Sequence, residues 1–338
     1  MNKVIKYFLC IATILIILSA CDKDSKSSTN KKTITINNTY EFRADKTNKG
    51  KGEIQNNKIE VPVNPARVAV MDYGALDIMK QMGLENKIVS ISKGKGMAFL
   101  PHSLEEFKDN KYINLGNPGQ PDYKALAKSK PEIIFTSFRQ AHTKNTKTLD
   151  ELKKAAPNAK IVFISPNNSD YIASIKESTT IIGKIFEKED KAKQLNTELT
   201  KKVEEVKKSV DNSKVLFLSV DDKGIKAFNA TGRFGGFLTH DLGIKYADTA
   251  MKENVGGNLI SYEYLNKVNP DKLYVIDRSN NGTDKQLPKV LNTDIIKNMK
   301  AVKNKQVYQF EANAWFFSEG GIKTTIKQLD DIEATFKK

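Results

Sequence analysis

The chain has 338 residues, 39% of them hydrophobic, and 55 basic against 40 acidic side chains give a formal net charge of +15. That length supports two domains with substantial cores, and only two cysteines exclude a disulfide framework. The basic excess is lysine scattered among Glu and Asp, with no basic stripe interleaved with aromatics, so it argues against nucleic acid as a partner and for anionic ligands or an anionic envelope.

The N-terminus carries Lys3 and Lys6, an apolar run from Tyr7 to Leu18, and then Leu18-Ser-Ala-Cys21. Such a run is too short to cross a hydrocarbon layer of roughly 30 Å, and reads as a signal peptide with a lipoprotein processing box. Residues 1–20 are expected to be removed, leaving Cys21 as a lipidated first residue that holds the protein at the extracytoplasmic face of a membrane. Residues 22–32 are nearly all Asp, Lys, Ser, Thr and Asn, so 21–54 reads as a flexible tether and the start of the fold.

Ile34, Ile36, Tyr40 and Phe42 suggest a first strand, Lys46 to Asn57 a hairpin or loop, and Ile59 to Val63 a second strand. Val68 to Met71, Asp72-Tyr-Gly74 and a helix from Ala75 to Met82 make one strand–helix unit. Ile88 to Ile91 follows, and then Ser92-Lys-Gly-Lys-Gly96, which lacks the phosphate-loop pattern and is expected to rim a cleft. Ile133 to Thr136 and Ile161 to Ile164 are further parallel strands around a helix at 145–155.

A helix from about Asp170 to Lys188, apolar on one face through Ile172, Ile175, Ile182, Ile185 and Phe186, is expected to join two lobes at 55–168 and 189–338. Residues 190–209 form a Lys/Glu-rich helix over Leu195, Leu199, Val203 and Val206. Val215 to Val220 opens a second sheet, Arg233-Phe-Gly-Gly-Phe starts a helix ending near Gly243, and Leu273 to Ile276 and Val307 to Phe310 are strands. An amphipathic helix from Ile322 to Phe336 closes the chain.

Two stretches repeat one another: Tyr123 to Arg139 and Tyr262 to Arg278 each read as short helix, Pro-acid turn, buried strand, arginine. Two similar α/β halves follow, with the matched arginines at strand ends, where open α/β sheets bind ligands. Arginine is scarce here, limited to Arg43, Arg67, Arg139, Arg233 and Arg278. Its planar fork suits delocalised oxygen anions better than an ammonium does.

Met71-Asp-Tyr-Gly-Ala-Leu-Asp77, Phe138-Arg-Gln140, Gly232-Arg-Phe-Gly-Gly236, Ile276-Asp-Arg278 and Ala314-Trp-Phe-Phe-Ser-Glu-Gly-Gly321 carry a resemblance. Over residues 55–338 the chain resembles class III iron-siderophore substrate-binding lipoproteins of ABC transporters, nearest to the ferric-catecholate type that includes enterobactin- and petrobactin-binding proteins. The resemblance implies two Rossmann-like lobes bridged by one long helix, a ligand cleft between them, no enzymatic activity, and lipid anchoring of the Gram-positive type. It implies that Arg139, Arg233 and Arg278 neutralise a ferric catecholate of charge about −3, that Tyr73, Trp315 and Phe316 wall the rings, and that Glu263 meets a membrane permease.

By spacing alone Gln120 and His142 are weaker candidates. The permease glutamate expected on the first lobe is replaced by Lys124, with Asp122 or Glu132 as stand-ins. The histidine and tyrosine that relatives donate to iron are missing from Val255-Gly-Gly-Asn258 and Trp315-Phe-Phe317, and His102, His142 and His240 show no metal spacing, His240 reading as packed within a helix. The siderophore is therefore expected to supply every iron ligand, with no intrinsic cofactor, and the protein to act as a monomer. Haem, cobalamin or a hydroxamate siderophore are the alternative ligands of the same fold, and the absence of GxGxxG after any strand argues against an oxidoreductase.

Overall fold

In the computed structural model the described residues are 32–42, 52–140, 146–164, 166–167, 170–279 and 289–337. Cys21 and His142 lie outside them. β1 (Thr33–Phe42) and β2 (Glu53–Pro62) form an antiparallel hairpin. The first sheet then uses β3 (Val68–Val70), β4 (Ile88–Ile91), β5 (Ile113–Asn114), β8 (Ile133–Thr136) and β9 (Lys160–Phe163), with a small hairpin of β6 (Gly116–Asn117) and β7 (Gln120–Pro121) between. Its order is β5-β4-β3-β8-β9 and every pairing is parallel. Crossovers run through α1 (Tyr73–Gln81), α2 (Tyr123–Ser129) and α3 (Thr146–Ala155), so β3 and β8 are buried throughout and are apolar but for Thr136 at the end of β8.

The β1–β2 hairpin lies against the edge strand β9. The Asn38 amide donates to Ile161 O at 3.1 Å and its oxygen accepts from Phe163 N at 2.8 Å, while Tyr40 stacks on Phe163 at 3.8 Å. One side chain thus satisfies backbone groups of a strand that would otherwise be an open edge.

α4 (Tyr171–Ile185) leads to α5 (Glu189–Ser209), and Glu187, at φ +54°, turns the chain between them. The continuous helix expected to Lys188 therefore stops earlier. Gly183 permits the close packing of the pair, since a Cβ there would lie 2.7 Å from that of Ala192. The second sheet contains β10 (Lys214–Asp221), β11 (Gly224–Ala227), β12 (Lys245–Tyr246), β13 (Asn258–Leu259), β14 (Lys272–Asp277) and β15 (Val307–Phe310). It runs β13-β11-β10-β14-β15, with β12 also on β10; β14 and β15 are parallel to β10, and β11 and β13 add an antiparallel flank. α6 (Tyr262–Val268) and α7 (Lys300–Lys303) flank β14, and α8 (Ala312–Phe316) and α9 (Ile322–Ala334) close the chain.

The repeat has a physical counterpart at each step. α2 and α6 are capped by Asp122 and Ser261, which accept from Ala125 N and Tyr264 N. Both helices end on a left-handed residue, Lys130 at φ 43° and Asn269 at φ 44°, before a proline that cannot continue a helix. β8 and β14 then take equivalent places beside β3 and β10.

α9 packs on α5 and returns to α1 of the first half. There Asp77 Oδ2 accepts from Thr324 N at 3.0 Å, and a Cβ on Gly321 would press on the same carboxylate at 2.5 Å. Among the described residues no helix is long and apolar enough to cross a membrane.

Candidate functional site

Five arginines separate into distinct uses. Arg43 lies outside the described residues. Arg67 donates to the carbonyls of Ser129 and Lys130 and so satisfies the C-terminus of α2. The remaining three come from three loops and gather around Phe316, whose ring lies 3.7 Å from the guanidinium carbon of Arg278, 3.9 Å from that of Arg233 and 5.8 Å from that of Arg139.

Each loop is shaped to deliver its arginine. After β8, Gln140 is buried; its Oε1 accepts from Thr136 Oγ1 at 2.8 Å and Ser137 N at 3.2 Å, and its amide donates to Pro118 O, which holds the turn bearing Arg139. Arg278 leaves β14 with its backbone N–H still bonded to Val220 O at 2.8 Å. Arg233 sits where Phe234 takes φ +60° and stacks on Phe217 at 4.4 Å, and where a Cβ on Gly235 would collide with Asn229 O. That left-handed residue breaks the helix expected from Arg233, leaving a short helical piece at Phe237–Asp241.

The carbonyl of Phe316 accepts from Arg139 Nη2 at 2.8 Å and from Arg233 Nη2 at 2.5 Å. Glu319 takes Arg233 in two-pronged fashion, with Nε to Oε1 at 2.9 Å and Nη2 to Oε2 at 2.5 Å, and its Oε2 lies 3.9 Å from Arg139 Nη2. Arg278 Nη1 lies 3.6 Å from Asp221 Oδ2, which Lys226 approaches more closely, and Arg278 Nε has no hydrogen-bond partner. The side chains are 5% exposed at Arg233, 17% at Arg139 and 27% at Arg278, so they are not equivalent. Burial, reinforced by the charge of Arg233, lowers the pKa of Arg139 to about 10 and also lowers that of Arg278; both stay cationic at neutral pH.

The aromatic expectations divide. Phe316 is at the centre of the group. Tyr73 and Trp315, expected as cleft walls, are instead core side chains at 1% exposure each. Tyr73 donates its hydroxyl to Ser92 O at 2.5 Å, and Trp315 stacks on Phe310 at 4.8 Å while its indole N–H reaches Asp331 Oδ2 at 3.1 Å. Their polar atoms are satisfied inside the fold. Gln120 is exposed on the hairpin that Gln140 holds through Pro118. His240, expected to be packed, has a 60% exposed side chain, and His102 pairs with Glu105 at 3.0 Å. Lys93 of the Gly/Lys loop is buried, donating to Lys108 O and Asp109 O.

The loop after Lys93 meets α8 across the two halves: Asn313 donates to Ala98 O at 2.8 Å, Glu311 accepts from His102 N at 3.1 Å, and Phe99 lies 4.5 Å from Phe317. The residue that sequence reasoning missed is Glu319. Its only signal was an acid set among small residues and glycines, Ser318-Glu-Gly-Gly321.

Asp72 caps α1 by accepting from Ala75 N at 3.0 Å and is 7% exposed. Burial raises its pKa to about 7 against the opposing pull of the Ala75 N–H and Arg139. The folded protein then keeps a proton that the unfolded chain has released above about pH 4, so stability falls as pH rises from about 4 to 7 and levels off above. Asp72→Asn keeps an oxygen for the cap but no charge. It should stabilise the protein more at pH 8 than at pH 5, by roughly 3 kcal/mol. Urea denaturation at both pH values is the check, and an equal shift at both would refute the assignment.

The fold of parallel sheets in paired halves is matched by the comparisons. The family model described as periplasmic binding protein matches residues 68–314. The petrobactin-binding protein YclQ of Bacillus subtilis is 32% identical over the full length of both chains, and its crystal structure superposes with a TM-score of 0.76 over 90% of this chain and 99% of that one. The ferric-anguibactin-binding protein FatB of Vibrio anguillarum is 28% identical over 79% of this chain and 81% of its own. The periplasmic catecholate-siderophore binding protein VctP of Vibrio cholerae, 26% identical, superposes with a TM-score of 0.72 over 88% of this chain and all of its own. The two sheets and the order of strands and helices that build them are thus those of a chain that belongs to the periplasmic binding protein family.

Proposed function

We propose that this chain captures a ferric catecholate siderophore between its two halves and presents it to an ABC permease for iron uptake. The observation that carries the reading is the convergence of Arg139, Arg233 and Arg278 on Phe316, with two of the guanidinium groups part-exposed. Catecholate oxygens spread negative charge over planar groups, and planar donor forks beside an aromatic ring are complementary to them. YclQ, FatB and VctP are named for petrobactin, ferric anguibactin and catecholate siderophores, which supports the same ligand class.

Glu263, exposed in the first turn of α6, is the permease contact of this reading, and Cys21 carries the lipid. Asp122 and Glu132, the stand-ins for Lys124 on the first half, both hold backbone N–H groups, of Ala125 and Ala66, so docking leans on Glu263. The test is fluorescence titration with a ferric tris-catecholate, a neutral ferric hydroxamate and haem, followed by uptake in cells carrying Glu263→Ala or Cys21→Ala. Preference for the catecholate, weakening with salt, and impaired uptake are expected. Preference for hydroxamate or haem would discard the catecholate reading, and unimpaired uptake would discard the two residue assignments.

A further inference from the structure

Glu319 is a buried anion inside a group of cations that the function above assigns to an anionic ligand. It is 6% exposed and fixed from several sides. A Cβ on Gly74, in the first turn of α1, would lie 2.6 Å from Glu319 O, so only glycine lets the helix come this close. Gly320, at φ +88°, donates its N–H to Tyr171 Oη at 3.2 Å, and Gly321 abuts Asp77. The backbone at Glu319 is therefore fixed against α1 and α4, which limits how far its carboxylate can swing. It engages Arg233 at two atoms and stands 3.9 Å from Arg139.

We propose that Glu319 is a specificity-determining residue: a built-in anion that cancels the charge of Arg233 and leaves Arg139 and Arg278 as the cations the ligand meets. The site then presents less charge than three arginines suggest. Asp221, 3.6 Å from Arg278 and shared with Lys226, trims it further. A ferric complex of charge about −3 is consequently held less strongly, relative to one of charge about −1, than a bare trio of arginines would hold it. This rests on the catecholate reading and deepens it, by setting which charge of ferric complex is favoured.

The experiment compares three preformed complexes on the full chain: a hexadentate ferric tris-catecholate (charge about −3), a tetradentate ferric bis-catecholate (about −1) and a neutral ferric hydroxamate. Glu319→Gln should raise the tris-to-bis affinity ratio on the order of tenfold or more and steepen its salt dependence, because one negative charge beside the ligand is gone. Glu319→Asp, which keeps the charge, should retain the wild-type ratio even if it lowers every affinity. A Glu319→Gln ratio equal to wild type, or an equal loss for all three complexes, overturns the proposal and leaves Glu319 a structural support. Wild-type protein that binds neither catecholate overturns the functional reading and this inference together.

Discussion

Arg233→Ala is expected to destabilise the protein by about 3 to 5 kcal/mol, the usual cost of removing one partner from a buried ion pair. The guanidinium is nearly inaccessible, and its loss strands the Glu319 carboxylate and removes one of two donors to Phe316 O. Most of the penalty is the unpaired carboxylate, so Arg233→Ala combined with Glu319→Gln should recover a good part of it. Denaturant midpoints of the wild type, both single variants and the double variant measure this. A wild-type midpoint for Arg233→Ala, with binding lost, would make Arg233 a ligand contact instead of a support.

Arg278→Ala and Arg139→Ala should behave oppositely, losing ligand while keeping the fold. Arg278 is the most exposed of the three, its Nε is unengaged, and its acidic neighbour is already shared with Lys226. A hydrogen bond to a charged group contributes about 1.5 to 3 kcal/mol, so each replacement should weaken ferric-catecholate binding tenfold or more. Lysine at either position should restore only part, since it keeps the charge and loses the fork. Arg139→Ala also forfeits its bond to Phe316 O, so its midpoint should fall slightly while that of Arg278→Ala stays put. Titration and denaturation of the four variants decide the matter; if both alanine variants bind like wild type, the arginines are not the ligand's cations.

Much of this architecture was legible because local chemistry repeats. A capping Asp or Ser, a short helix, a proline after a left-handed residue, an apolar strand and an arginine recur at Tyr123 to Arg139 and Tyr262 to Arg278, and the two sheets follow from them. The family resemblance is likewise borne out by the match over residues 68–314. Breaks were less visible. Glu187 and Phe234 take positive φ although neither residue type signals it, so two helices were read as longer than they are.

Side-chain direction was the other gap. Trp315 and Phe316 are adjacent in α8, yet one points into the core beside Phe310 and the other toward the arginines, and composition alone does not separate neighbours on a short helix. The pairing of Glu319 with Arg233 spans 86 residues, beyond any local pattern. Arginine scarcity pointed at the right side chains without distinguishing the helix cap at Arg67 from the cluster, or the buried member from the exposed ones.

The return of α8 and α9 to the first half has a consequence for biosynthesis. A chain emerging from the ribosome has all the strands of its first sheet, and all three of its clustered arginines, before residues 312–334 exist. Until then Asp77 lacks the Thr324 N–H, α1 lacks its covering helix, and the arginines lack both the Phe316 ring and the Glu319 carboxylate. A nascent chain therefore carries its cations ungathered, and capture of iron complexes becomes possible only once residues 312–334 have been made.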